Sequence, residues 1–191
     1  MFLPDYILFL IDRLREHGFT ACPVGGCVRD FLLGKVPGDY DMTTDARPEE
    51  MKAVFADHRC IETGLKHGTL TVVRDGHNVE ITTFRTEGGY QDSRHPDWVR
   101  FVATVEEDLS RRDFTVNAMA YSVCDGIVDL FGGREDLQNG IIRCVGEPDR
   151  RFNEDALRIM RALRFASVLD FEIEEQTALS IHRNAHLLKN I

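Results

Sequence analysis

The spacing of apolar residues predicts a mixed α/β region followed by a helical one. Apolar residues recur at helical intervals over residues 3–17, which predicts an amphipathic helix. The segments 68–74 (GTLTVVR) and 78–85 (NVEITTFR) alternate apolar and polar residues around Asp75-Gly76, which predicts a β-hairpin. From Asn153 onward the pattern is helical almost to the end.

The other predicted elements are shorter. The segment 87–100 is polar and broken by glycine and proline, so it is predicted as a long loop. The predicted strands cover 20–24, 38–44, 126–131 and 140–145, and the predicted helices cover 27–33, 48–56 and 113–123.

The change from mixed to helical character predicts a domain boundary near residue 145. Residues 1–145 would form one α+β domain, and residues 146–191 would begin a helical domain. The last predicted helix, about 174–189, keeps an apolar stripe up to the final residues, which suggests a piece of a longer protein. The alternative is a natural end that a dimer partner covers.

Composition is that of an ordinary cytoplasmic globular protein, with 43% hydrophobic and 29% charged residues. No apolar run has the length of a membrane span, so no membrane partner is expected. The five cysteines are odd in number and form no CxxC pair, which favours reduced, partly buried thiols over a zinc site or disulfides. The net charge of -9 argues against a self-sufficient nucleic-acid binder.

The candidate chemistry begins in GGCVRDFLLGKVPGDYDMTT, residues 25–44. On a strand, Asp39 and Asp41 would project from the same face, where two carboxylates repel each other unless a cation lies between them. Mg2+ suits such a pair because it takes one or two carboxylates, waters and phosphate oxygens. A solvated edge strand is the alternative, since the DxD pattern alone is frequent.

The residues before the aspartates strengthen the metal hypothesis. Gly25 and Gly26 follow a predicted strand and open a predicted helix, where backbone amides can approach a phosphate. Arg29, one turn later, can hold a triphosphate. A phosphate cradle beside a metal pair is typical of phosphoryl transfer, with two metal ions activating a hydroxyl and stabilising departing pyrophosphate.

A third carboxylate normally completes such a site. Glu80 is the first candidate, because antiparallel pairing could bring its strand beside the aspartates, and Asp113 is the second. A solvated strand residue is the alternative for Glu80.

Four segments follow one another along the chain: GGCVRDFLLG...DYDMTT, EDLSRRDFTVNAMAY (107–121), DLFGGREDLQNGIIRCVG (129–146) and RFNEDALRIMRALRFA (151–166). Together they resemble the motifs of the class II tRNA nucleotidyltransferases (CCA-adding enzymes) and the related bacterial poly(A) polymerases. The resemblance covers nearly the whole chain. It implies a polymerase-beta-like nucleotidyltransferase head with a mixed or antiparallel sheet flanked by helices, followed by an all-helical neck.

The family also implies a reaction and its partners. It implies Mg2+-dependent addition of CMP or AMP, from CTP or ATP, to the tRNA 3' end, with poly(A) addition as the main competitor. A non-catalytic nucleotide-binding module that keeps the fold is the alternative from another class. The resemblance further implies that Arg111, Arg112, Asp113 and Asn117 contact the nucleotide.

The last motif carries a hypothesis for base selection. Glu154 and Asp155 are predicted to open a helix on which Arg158, Arg161 and Arg164 follow at steps of three. Cytosine and adenine both present an amine beside a ring-nitrogen acceptor, which a carboxylate and a guanidinium complement. Asp155 and Arg158 have this complementarity and the family's motif gives them this task, with Arg161 and Arg164 holding phosphates or orienting the pair. A solvated basic face is the alternative.

The helix and the loop carry two smaller predictions. Ala156, Ile159, Met160 and Leu163 are predicted to face the core, opposite the arginines. The segment EGGYQDSRHPDWVRF resembles the family's flexible loop, which enzymes that add only CC tend to lack, so addition of the terminal A is expected. A passive surface loop is the alternative.

Overall fold

The computed structural model describes residues 1–90 and 97–191, which pack into two compact units. The first unit comprises residues 1–86, 101–109 and 119–128, and the second comprises residues 87–100, 110–118 and 129–191. This division by compactness differs from the predicted boundary near residue 145, which stays a prediction.

Eight α-helices occur in the described residues. They are α1 (Asp5–Glu16), α2 (Gly26–Leu32), α3 (Pro48–Val54), α4 (Val105–Ser110), α5 (Gly133–Asn139), α6 (Pro148–Glu154), α7 (Leu157–Leu169) and α8 (Glu175–Asn184). Short 3-10 turns cover Leu65–His67, Thr115–Asn117 and Ala185–Asn190. None of these described helices is both long and apolar enough to cross a membrane.

Eleven strands occur in the same residues. They are β1 (Ala21–Pro23), β2 (Met42–Thr44), β3 (Arg59–Ile61), β4 (Thr69–Arg74), β5 (His77–Thr83), β6 (Arg85–Gly88), β7 (Trp98–Phe101), β8 (Met119–Ser122), β9 (Gly126–Asp129), β10 (Ile141–Ile142) and β11 (Glu172–Ile173).

The first unit is built on a five-stranded mixed sheet in the order β1-β2-β5-β4-β3. The pairs β1–β2, β3–β4 and β4–β5 are antiparallel, whereas β2 and β5 run parallel. The parallel register sets Met42 beside Ile81 and Thr44 beside Thr83. Because β2 and β5 are separated by β3 and β4 in sequence, this central pairing is a long-range contact.

The two faces of this sheet differ in character. One face buries apolar side chains such as Met42, Leu70 and Ile81. Helices α1 and α3 contact each other, and they contact β1 and β4 of the sheet, respectively. The apolar stripe of α1 is buried as its period predicts, and each such side chain contributes about 1.5–3 kcal/mol. The opposite face carries Thr43, Thr69, Thr71, Glu80 and Thr82, so it is polar.

The predicted hairpin is confirmed. β4 and β5 pair along their length, and the turn between them is Asp75-Gly76. Asp75 has φ 50° and Gly76 has φ 79°, the two positive values that a tight hairpin turn requires.

The second unit packs its helices around aromatic and branched side chains. Phe114 and Phe152 are fully buried, and the Phe114 ring meets Phe165 edge to face at 5.9 Å. α6 and α8 are joined by Asp149, which accepts hydrogen bonds from Ser180, Arg183 and Asn184. These bonds hold the pKa of Asp149 below its ordinary value, the Ser180 contribution being the largest.

The predicted helix over 113–123 is wrong. Only Thr115–Asn117 form a helical turn, and Met119–Ser122 form β8. Ala120 bridges to Val24, and the Met119 carbonyl accepts the Gly25 amide, so the chain runs extended beside the end of β1. Long-range pairing overrode the local helical preference.

Other predicted elements also needed correction. Helices α4 and α5 were not predicted, and the predicted loop over 87–100 contains the end of β6 and most of β7. Residues 91–96 of that loop lie outside the described residues. The last predicted helix is α8 followed by a 3-10 turn. The predicted all-helical character after residue 146 is wrong at one place, because β11 pairs with β10.

Candidate active site

The two aspartates of the DxD pattern lie immediately before β2, not within a strand. Of the predicted strand 38–44, only Met42–Thr44 are strand. The Val24 amide nevertheless donates to the Asp41 carbonyl at 3.0 Å, so the extended pairing continues to Asp41. Asp39 and Asp41 are exposed, and Tyr40 between them is buried. Both carboxylates therefore lie on the solvent side of this segment.

Glu80 lies in β5 on the polar face of the sheet, and its side chain is exposed. The predicted antiparallel pairing with the aspartate strand is wrong, because β2 and β5 are parallel. Extending the register from Met42 and Ile81 by one residue brings Asp41 opposite Glu80. The two carboxylates consequently lie on adjacent chains and share one face.

The carboxylates of Asp39 and Asp41 fit a magnesium ion whose other ligands are waters and substrate phosphates. Among residues 1–90 and 97–191, no three acidic, histidine or cysteine side chains are grouped so that they could hold a metal. Mg2+ needs only one or two protein carboxylates when substrate phosphates supply the rest. Asp39 and Asp41 are therefore the residues that would hold it.

Gly25 and Gly26 lie where β1 passes into α2. Gly25 has φ 77° and ψ -126°, a conformation open to glycine and strained for other residues. Its amide donates to the Met119 carbonyl at 2.9 Å, so Gly25 shapes the turn and its amide is already used. A phosphate-binding amide would have to come from Gly26 or from the residues after it. Arg29 is mostly buried and pairs with Asp30 at 2.7 Å.

Cys27 lies against the backbone of Val24 and Asp41. Its thiol is 3.5 Å from the Val24 carbonyl and 3.9 Å from the Asp41 carbonyl. Burial, together with the Asp41 charge, raises the pKa of this thiol to about 11. The thiol is therefore neutral at pH 7 and packs as a small apolar group.

The second unit contains a polar pocket of about 210 Å³. The residues that line it are all ones for which the sequence analysis predicted nucleotide contacts: Arg111, Arg112, Asp113, Asp155, Arg158 and Arg161. Asp113 accepts from Arg161 at 2.7 Å and from the Phe114 amide at 2.8 Å. Asn117 is buried in the nearby 3-10 turn, and Arg164 is exposed and does not line the pocket.

The helix predicted to open at Glu154 and Asp155 is interrupted there. Glu154 ends α6, and Asp155 is extended, with φ -144° and ψ 104°. The Leu157 amide donates to Asp155 Oδ1 at 3.0 Å, so the carboxylate satisfies one of the unpaired amides at the start of α7. The break places Asp155 on the wall of the pocket.

Arg158 is held in a buried network of charges. Its guanidinium donates to Glu154 at 2.9 Å and to the Arg111 carbonyl at 3.3 Å, and it lies 3.9 Å from Glu87. Glu87 also accepts from Tyr90 at 3.0 Å. Burial, followed by the Glu87 charge, raises the pKa of Tyr90, so this phenol stays protonated and donates. These contacts fix the orientation of the Arg158 side chain.

Comparison with known proteins decides the family. Residues 22–143 match the family model described as the poly A polymerase head domain. The chain belongs to this head-domain family. The predicted resemblance is thereby confirmed.

Its relatives include CCA-adding enzymes from several bacteria. The chain is 54% identical to the Lactobacillus helveticus CCA-adding enzyme, over 99% of the chain and 48% of that protein. It is 50% identical to the Geobacillus stearothermophilus CCA-adding enzyme, over 96% of the chain and 45% of that protein. The chain thus spans about half the length of the curated relatives it matches.

Solved structures give the same result. The Bacillus stearothermophilus CCA-adding enzyme in complex with CTP matches with a TM-score of 0.89 and 48% identity, over 97% of the chain and 44% of that structure. The Thermotoga maritima CCA-adding enzyme complexed with tRNA matches with a TM-score of 0.80 and 28% identity, over 99% and 45%. The predicted polymerase-beta-like head with a mixed sheet and flanking helices is confirmed.

In α7, the burial of several side chains differs from the prediction. Ile159 is buried as predicted, whereas Met160 and Leu163 are 48% and 46% exposed. Arg158, predicted on the polar side, is 7% exposed. The carboxylate of Glu154 and the backbone carbonyl of Arg111 supply the partners that make its burial possible.

Sequence reasoning about this head-domain chain missed Glu87 and the pairing role of Glu154. Glu87 lies in a segment interpreted as a loop, 24 residues from its partner Arg111. No local pattern indicates such a contact. For Glu154, the spacing of four residues to Arg158 is an ordinary helical ion-pair signal, and it could have been used.

The glycine pair of the head domain gives a testable prediction. Gly25→Ala should lower the free energy of unfolding by about 1–3 kcal/mol, because alanine is strained at this positive φ. Gly26→Ala is the matched control: its Cβ would lie at an ordinary 3.7 Å from Arg29. Urea unfolding measures both, and equal stability of the two variants would contradict the assigned role of Gly25.

Proposed function

We propose that the chain carries the catalytic head of a tRNA nucleotidyltransferase, which adds CMP, AMP or both from CTP and ATP to the tRNA 3' end and releases pyrophosphate. The observation that carries the proposal is the match of nearly the whole chain to CCA-adding enzymes, one of them in complex with CTP. Structures of related enzymes in complex with tRNA, one of them also with an ATP analogue, support tRNA and ATP as substrates. We place the reaction in the cytoplasm.

Asp39 and Asp41 are proposed to hold the metal, and Glu80 is proposed as the third carboxylate. The shared register of Asp41 and Glu80 supports Glu80 over Asp113, whose carboxylate is already used by Arg161 and by the Phe114 amide. Mg2+, when bound, would neutralise the triphosphate and lower the pKa of the attacking 3' hydroxyl. Gly26 and Arg29 are proposed to bind phosphate oxygens.

The polar pocket of the second unit is proposed to select the base. The Asp155 carboxylate would accept from the exocyclic amine of cytosine or adenine, and the Arg158 guanidinium would donate to the ring nitrogen. Guanine and uracil would instead leave buried donors and acceptors unpaired, which costs about 1–3 kcal/mol for each group. Glu154 and the Arg111 carbonyl hold the guanidinium before the nucleotide arrives, which lowers the cost of ordering it.

The remaining pocket residues have supporting roles in the proposal. Arg111, Arg112 and Arg161 would contact the triphosphate or the ribose, with Asp113 fixing Arg161. Asn117 is buried beside this segment and would add a polar contact. Arg164 is exposed and is proposed to meet phosphate from the surface.

Poly(A) addition is a second candidate, because the matching family model is the poly A polymerase head domain. Both candidates use ATP, but only CCA addition requires selection of CTP as well. Binding of CTP therefore distinguishes them.

The proposal is tested by calorimetry of ATP, CTP, GTP and UTP binding to the full chain with Mg2+. We expect ATP and CTP to bind at least about tenfold more tightly than GTP and UTP, which corresponds to about 1.4 kcal/mol. Asp155→Ala should abolish this preference while leaving triphosphate binding. Equal binding of all four nucleotides would contradict base selection by Asp155 and Arg158, and binding of ATP alone would favour poly(A) addition.

A further inference from the structure

A buried carboxylate lies against the two strands that carry the proposed metal ligands. Asp108, in α4, is fully buried. Its Oδ1 accepts the Arg85 amide at 3.2 Å, just after the end of β5. Its Oδ2 lies 3.4 Å from the Thr43 hydroxyl in β2. One side chain therefore bridges β2 to the segment that leaves β5.

The Thr43 hydroxyl completes this bridge. It lies 3.1 Å from the Thr82 carbonyl in β5 as well as 3.4 Å from Asp108, so its single proton is shared between two acceptors. Thr43 is fully buried and is paired with Thr82 in the parallel register. This side-chain contact supplements the backbone ladder where β2 and β5 run together.

The bridge lies two residues from the candidate metal site. Thr43 follows Asp41 by two residues, and Thr82 follows Glu80 by two, so all four side chains share the polar face. β2 has only three residues, so few backbone bonds of its own fix its position. A shift of β2 along or away from β5 would change the separation of the Asp41 and Glu80 carboxylates.

We propose that Asp108 and Thr43 are positioning residues, which hold β2 against β5 and thereby set the position of Asp41, a residue that would hold the catalytic metal, relative to Glu80. This inference rests on the proposed function, in which Asp41 holds the metal and Glu80 is the third carboxylate. Partners that orient metal ligands typically change metal affinity by about 10–100-fold when they are removed.

The test uses electron paramagnetic resonance to measure the binding of Mn2+ to the full chain in the presence of CTP. No turnover is needed for this measurement. Thr43→Val removes the hydroxyl at almost constant volume and should weaken Mn2+ binding about tenfold. Thr43→Ser restores the hydroxyl and should bind Mn2+ within about twofold of the unmodified chain.

Thr83→Val is the matched control. Thr83 is also fully buried, and its hydroxyl donates to the Ala46 carbonyl at 2.7 Å, but it lies on the opposite face of β5. Both valine variants should lower the thermal midpoint by similar amounts, whereas only Thr43→Val should weaken Mn2+ binding. An equal loss of Mn2+ affinity in both variants, or no loss in Thr43→Val, would overturn the positioning role.

Asp108→Asn distinguishes a positioning role of Asp108 from a direct effect of its charge on the metal. The asparagine amide can accept from the Arg85 amide and donate to Thr43, so it should bind Mn2+ within about threefold of the unmodified chain. A loss as large as that of Thr43→Val would mean that the charge of Asp108 acts directly, and the inference would be wrong.

Asp41→Asn separates this inference from the proposed function. If Asp41→Asn binds Mn2+ as tightly as the unmodified chain, the metal site itself is wrong and both proposals fail. If Asp41→Asn loses Mn2+ and Thr43→Val does not, only the positioning inference fails.

Discussion

Asp41→Asn is expected to lower the rate of CMP addition to a tRNA that lacks its terminal CCA by at least about 1000-fold, or about 4 kcal/mol of transition-state free energy. The substitution keeps the shape of the side chain but removes the charge that would hold Mg2+. Asp41 is exposed and precedes β2, so the fold should not change. Single-turnover incorporation at saturating CTP measures the chemical step.

Asp12→Asn provides the control for this experiment. Asp12 is an exposed carboxylate on α1 that pairs with Arg15 at 2.8 Å, and such surface pairs contribute about 0–1 kcal/mol. Its activity should equal that of the unmodified chain. Incorporation by Asp41→Asn within tenfold of the control would contradict the assignment of Asp41 as a metal ligand.

Arg158→Met is expected to lower the free energy of unfolding by roughly 3 kcal/mol, the usual cost of removing one partner from a buried ion pair. The side chains of Arg158 and Glu87 are 8% and 10% exposed, so methionine would leave carboxylates with fewer partners away from water. Glu154 would keep Arg151 at 2.8 Å, which limits the loss. Urea unfolding monitored by circular dichroism measures this free energy.

Arg164→Met is the matched control, because Arg164 lies on the same helix and is exposed. Its free energy of unfolding should stay within about 0.5 kcal/mol of the unmodified chain. Equal stability of the two methionine variants would mean that the Arg158 network does not support the second unit. It would also mean that the Arg158 guanidinium is not held in place before the nucleotide binds.

Local sequence was sufficient for the elements whose side chains interact with near neighbours. The stripe of α1 and the Asp75-Gly76 hairpin followed from period and turn chemistry alone. The Gly25-Gly26 turn was also anticipated, although its conformational reason became visible only in the φ of Gly25. Asp39 and Asp41 are both exposed on either side of the buried Tyr40, although they precede β2 and do not lie within the predicted strand.

Several features of the candidate site could not be read from local pattern. The helix predicted over 113–123 became β8 because Ala120 pairs with Val24, nearly 100 residues earlier. The interruption of the predicted helix at Asp155 is visible only in the structure, and Arg158 is buried against the predicted pattern because Glu154 and the Arg111 carbonyl accept its hydrogen bonds.

The sequence by itself indicated the family, through the resemblance of its four motifs, and it determined the residue types available for phosphoryl transfer. Only the tertiary structure decided that β2 runs parallel to β5, which sets Asp41 opposite Glu80, and that Asp108 and Thr43 support this pairing. Such contacts join residues 39 and 65 positions apart. They are chosen by burial and hydrogen bonding of the whole sheet, and no local period encodes them.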